Sequence, residues 1–121
     1  MKTQIDLNAF DAITFDFYGT IVNWEPEILT FLKGWTSSVG IAVTDLSLLE
    51  TYDRLRQPIQ SQRPIWAYPD VLKLTLEAMA SEFECELPEE LRLEFGGIAA
   101  THQPFPDSLK ALNELRARGH L

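Results

Sequence analysis

The sequence predicts an α/β chain with an incomplete sheet: one buried strand of the parallel type near the N-terminus, followed by five helices. Three observations carry this. Residues 12–17, Ala-Ile-Thr-Phe-Asp-Phe, form a short apolar run rich in β-branched and aromatic side chains, closed by Gly19. Beyond it, apolar residues recur at spacings of three and four, the helical period. The last helical stretch stops at Gly119, just before His120 and Leu121, as a crossover helix stops before the next parallel strand.

Taken in order, the strand is followed by a first helix in which Pro26 suits the opening turn and Ile28, Leu32, Trp35 and Val39 share one face. Gly34 weakens that helix. Thr44 or Asp45 is the natural N-cap of a second helix carrying Leu48, Tyr52 and Leu55, which Pro58 should end; residues 57–64 then read as a break. A third helix starts near Pro69 and Asp70, with Leu72, Leu76, Met79 and Phe83 on one face. A fourth opens at Pro88, has Glu89 and Glu90 where the helix dipole favours anions, and buries Leu91, Phe95 and Ile98; the Gly96-Gly97 pair should weaken or end it. In the fifth, Pro106 and Asp107 form the start, Leu109, Leu112 and Leu115 line one face, and Arg116 and Arg118 suit the C-terminal carbonyls. A lone parallel-type strand leaves its ladder bonds unmade, so the sequence is expected to be cut at the entrance to a second strand.

Composition narrows the function classes. With 45% hydrophobic and 23% charged residues, the 121-residue chain has the apolar content of a globular domain and not of a disordered one. Its 18 acidic and 10 basic residues give a net charge of −8, with no basic cluster beyond the pairs Arg54/Arg56 and Arg116/Arg118. Nucleic acid and anionic membrane are therefore not expected partners. Asp6, Asp11 and Asp16 interrupt the N-terminal region where a signal peptide needs an apolar stretch, and no run reaches the ~18 apolar residues of a membrane span. A cytoplasmic protein is expected. Cys85, the single cysteine, has no disulfide or metal-ligand partner at suitable spacing and reads as a small apolar helix residue.

The chemistry centres on Asp16-Phe17-Tyr18-Gly19-Thr20 at the C-terminal end of the predicted strand. Open α/β sheets bind ligands at that edge. An aspartate is ionised at neutral pH without help from a base and can attack carbon or phosphorus to form a covalent intermediate. Gly19 permits a sharp backbone turn, and the Thr20 hydroxyl can bond the turn or the carboxylate. As a plain structural residue, Asp16 would only cap that turn, and Tyr18 would be a core aromatic with a bonded hydroxyl.

The stretch from Ala12 through Asp16-Phe17-Tyr18-Gly19-Thr20 to Ile21-Val22-Asn23-Trp24-Glu25 resembles the first motif of the haloacid dehalogenase superfamily, and more closely that of its type II 2-haloacid dehalogenases. The resemblance implies a Rossmann-like core begun by residues 1–24, a helical cap inserted at 25–103, and a return helix of the core at 104–121. It makes Asp16 the catalytic nucleophile and assigns Phe17, Tyr18, Thr20 and the cap arginine Arg54 to substrate binding, with Arg56 as the fallback for Arg54. The implied reaction hydrolyses a 2-haloacid to a 2-hydroxy acid through an aspartyl ester. Phosphatases of the superfamily usually carry a second Asp two residues after the nucleophile; Tyr18 stands there, and a phenol ionising near pH ~10 is a poor acid-base catalyst at neutrality. Halide departure needs no proton, so Tyr18 favours carbon-halogen hydrolysis with no cofactor and no metal.

An arginine fork pairs with a carboxylate through two parallel hydrogen bonds, which suits Arg54 to a haloacid; its bland counterpart is a solvated arginine paired with Glu50 or Asp53. The family's later motifs supply Ser or Thr, Lys and acidic residues, so the 121 residues alone are expected to show little turnover. The alternatives are a Mg2+-dependent phosphatase of the same superfamily and a non-catalytic helical module. His102 and His120 lack a matching carboxylate pattern and read as plain loop polar residues. Trp24, Trp35 and Trp66 should pack, with Trp66 beside Tyr68 able to line a substrate entrance. Relatives by this resemblance often dimerise through cap helices, so a homodimer is an expected partner arrangement.

Overall fold

The computed structural model describes residues 4–120. Among these, two very short strands and five α-helices run in the order β1 (Val22–Asn23), α1 (Glu25–Ser38), α2 (Asp45–Gln60), α3 (Tyr68–Glu82), α4 (Glu89–Gly97), β2 (Gln103–Pro104) and α5 (Ser108–Ala117), with 3-10 turns at Leu7–Ala9 and Ile98–Ala100. Helix and strand are mixed, but helix dominates at 60%. Contacts divide the chain into two compact units: Met1–Trp24 together with Gln103–Leu121, and Glu25–His102.

In the helical unit, Glu25 and Glu27 occupy the first turn of α1, and Ile28, Leu32 and Trp35 repeat at the helical period to form its buried stripe. Val39 falls beyond the helix in an exposed turn, not on that stripe, because Gly40 adopts φ +75 immediately after it. Thr44 caps α2 by accepting the Ser47 backbone N–H at 3.1 Å, and Leu48 and Tyr52 are buried.

The expected stop of α2 before Pro58 does not occur, since the helix runs through it to Gln60. Proline removes only its own N–H, and in an exposed last turn the carbonyl it leaves unpaired can meet water. Ser61 closes the helix instead, donating both its N–H and its hydroxyl to the Gln57 carbonyl at 3.1 and 2.9 Å. The break is correspondingly short and contains a cis Arg63–Pro64 bond.

Pro69 and Asp70 lie in the first turn of α3, whose Leu72, Leu76 and Met79 are fully buried. In α4, Phe95 is buried and Leu91 only half-buried; Ile98, also half-buried, opens the 3-10 turn that follows the helix. Gly96 is buried against α3: a Cβ there would lie 2.6 Å from Cε and 2.9 Å from Cγ of Lys73. Phe95 fills the centre of the unit, tilted against Phe31 at 4.8 Å and edge-on to Tyr52 at 6.2 Å. Among the described residues, eleven of the twelve buried apolar ones belong to this unit; Val22 is the other.

In the other unit, residues 12–17 do not form the buried parallel strand expected of them. None is assigned to a strand, and Phe15 and Phe17 are 42% and 51% exposed. Such a strand is held by ladder bonds to neighbours, and among the described residues no strand longer than two residues is present to supply them. The sheet that does form is antiparallel, with Val22 opposite Pro104 and Asn23 opposite Gln103.

Ser108 at the start of α5 donates its hydroxyl to the Ile21 carbonyl at 2.7 Å, and the Phe105 N–H reaches the same carbonyl at 3.0 Å. Asp107 precedes the helix without a side-chain cap bond, and Gly119 follows it at φ +82. Leu109 is exposed, so the expected leucine face narrows to the half-buried Leu112 and Leu115. His120, expected as a plain loop residue and the first of a second strand, is buried in neither helix nor strand; Leu121 lies outside the described residues. Among the described residues no helix is long and apolar enough to cross a membrane.

Candidate active site

Asp16 precedes a tight turn built by its neighbours. The Phe17 carbonyl accepts from the N–H groups of Thr20, Ile21 and Val22 at 3.2, 2.9 and 3.1 Å, and the Gly19 N–H donates to the Val22 carbonyl at 2.8 Å. Closing so short a loop requires Gly19 at φ +87, a conformation that costs an L side chain about 1–2 kcal/mol. A Cβ at Gly19 would also stand 3.3 Å from Nε1 of Trp24. The absence of a side chain at this position lets the turn form.

The turn brings Thr20 back to Asp16, and the Thr20 hydroxyl donates to Oδ2 at 3.1 Å. Both residues are exposed, so the carboxylate is open to solvent on its other side. Phe17 and Tyr18 meet edge to face at 5.0 Å with an interplanar angle of 86°. Partial burial pushes the Tyr18 phenol above its ordinary range, which leaves it still less able to exchange protons at neutral pH. Asp16, Phe17, Tyr18 and Thr20 thus form one local group. Among the described residues no three His, Cys, Asp or Glu side chains gather as a metal site.

No protein-family model matches the chain, and no curated protein matches it either. What this group offers is read from the residues themselves: an exposed carboxylate, one hydroxyl that donates to it, and two aromatic rings beside it.

Arg54 belongs to the helical unit, on α2. Its partner is neither Glu50 nor Asp53: Nη2 binds both oxygens of Glu82 on α3, at 2.7 and 2.6 Å. Arg56, the fallback, pairs with Asp53 and Gln60. Trp66 is 43% exposed and donates Nε1 to Gln62 at 2.7 Å, while Trp35 is buried.

Sequence reasoning missed one cluster. His102, expected as a solvated loop residue, has a side chain only 2% exposed; its Nδ1 lies 3.4 Å from Oε1 of Glu27 and its Nε2 3.1 Å from the Tyr68 hydroxyl. Thr101 donates to the other oxygen of Glu27 at 2.5 Å. These residues come from separate elements, and no spacing in a single sequence links them.

Proposed function

We propose that the chain carries the nucleophile of a haloacid-dehalogenase-type hydrolase of the cytoplasm, acting on 2-haloacids through an ester at Asp16. The observation that carries this is the Thr20-held, exposed carboxylate of Asp16 at a Gly19 turn, with a phenol and not a second acid two residues on. A helical unit, Glu25–His102, set between the two halves of the other unit supports the same reading, because an inserted cap over a Rossmann-like core has that chain order.

In the first step an oxygen of Asp16 bonds to C2 of the substrate while the carbon-halogen bond breaks, and the halide leaves with the electron pair. No proton is needed, which suits Tyr18. Phe17 and Tyr18 offer apolar ring surface to the substrate chain and Thr20 holds the attacking carboxylate; in the helical unit, Arg54 is the arginine that the resemblance assigns to substrate binding. In the second step water adds to the ester carbonyl carbon of Asp16. The ester C–O bond breaks, the 2-hydroxy acid departs with one proton of that water, the other proton passes to solvent, and the aspartate carboxylate is restored. None of residues 16–20 is a base for that water once Asp16 is esterified, so the first step should outrun the second.

Incubation of the chain with 2-chloropropionate tests this by stoichiometry. One chloride released per chain and a propionate ester on the Asp16 peptide, both abolished in Asp16→Asn, are expected. An unmodified Asp16 with no chloride released would overturn the proposal. So would hydrolysis of a phosphate ester with Mg2+ while 2-chloropropionate stays intact.

A further inference from the structure

The cluster around His102 lies at a particular place in the chain. Glu27 is in the first turn of α1, where the helical unit begins, and Thr101 and His102 are the residues with which that unit ends. Glu27 receives the Thr101 hydroxyl on Oε2 at 2.5 Å and faces Nδ1 of His102 with Oε1 at 3.4 Å. On its far side the imidazole meets the Tyr68 hydroxyl of α3 at 3.1 Å, with the two rings 5.9 Å apart. A carboxylate facing Nδ1 favours a proton there, which leaves Nε2 to accept from Tyr68. Tyr68 in turn bonds Tyr52 of α2, whose phenol is raised far above its ordinary range, first by burial and then by Tyr68.

We propose that Glu27, Thr101, His102 and Tyr68 form a clasp joining the two chain ends of the helical unit, so that residues 25–102 open and close as one cooperative body. Two features make the clasp effective. The groups it joins are 74 residues apart, so fraying of either end would release a long segment and leave the buried imidazole and its carboxylate without each other. The unit also holds eleven of the twelve buried apolar residues among those described, so once its ends are tied it has a core of its own. In α1 the clasp adds a tertiary anchor to the turn where helices ordinarily fray.

Amide hydrogen exchange on the whole chain tests the coupling. In Glu27→Ala, exchange should rise about tenfold at residues 98–102, the opposite end of the unit; in His102→Phe it should rise about tenfold at residues 29–32. Thr101→Val removes a single hydroxyl bond and should raise exchange at 29–32 in the same direction, which carries the test if either larger change unfolds the chain. Exchange that rises only at the substituted end, with the other end as in the parent, would overturn the clasp.

Discussion

Thr20 gives its hydroxyl to the Asp16 carboxylate across 3.1 Å, from four residues further along a turn that only Gly19 makes possible. The bond is exposed, so solvent competes with it and its net worth is ~1 kcal/mol or less despite the charged acceptor. Thr20→Val should therefore slow Asp16 ester formation by about fivefold without abolishing it, measured as single-turnover chloride release. Thr20→Ser, which keeps the hydroxyl, should restore most of the rate.

Stability should depend on the helical unit far more than on the turn that bears Asp16. Phe95 is fully buried between Phe31 and Tyr52, and Phe95→Ala should cost about 3–5 kcal/mol. Phe17 is half exposed, and Phe17→Ala should change stability by about 0.5 kcal/mol or less. Urea unfolding followed by far-ultraviolet circular dichroism measures both.

Arg54 ties α2 to α3 by holding both oxygens of Glu82 through Nη2. Both members of the ion pair are well exposed, 58% and 40% at the side chain, so Glu82→Gln should alter stability by less than about 1 kcal/mol. Urea unfolding of the parent and Glu82→Gln chains provides the comparison.

The Tyr52 phenol titrates above its ordinary range in the folded chain, mainly through burial. A group whose affinity for its proton is raised by folding contributes stability that is complete below the unfolded value, about pH 10 for tyrosine, and that is lost as the pH climbs beyond it. The parent chain should lose stability above about pH 10 more steeply than Tyr52→Phe does. Thermal unfolding of both proteins across pH 8–11 provides the comparison.

Helices were far more legible in the sequence than strands. The stripe Ile28, Leu32, Trp35 and the trio Leu72, Leu76, Met79 are buried as their spacing demands, because a helix satisfies its backbone internally and needs only one apolar face. Thr44 caps α2 for an equally local reason. Residues 12–17 fail as a strand because pairing is not local: composition can make a segment suitable for a sheet, but the neighbours supply the bonds. The pairing of Val22–Asn23 with Gln103–Pro104 leaves no mark in the sequence for the same reason, since two residues show no alternation. At the turn, the sequence leaves the Thr20 hydroxyl a choice between the backbone and the Asp16 carboxylate, and in the structure it takes the carboxylate. The partner of Arg54 was not, because Glu82 is 28 positions away on another helix.

Ile5, Phe10, Phe15, Phe17 and Leu109 all present large apolar surfaces on the unit that has Val22 as its one buried apolar residue among those described. At neutral pH the net charge of −8 sets like molecules repelling one another before those surfaces can meet. Toward the isoelectric point, near pH 4.6, that long-range repulsion vanishes while the greasy surface stays. Colloidal behaviour is thereby handed to the carboxylates: mild acid should turn solutions of this chain cloudy well before its helices melt, and returning to neutrality should clear them.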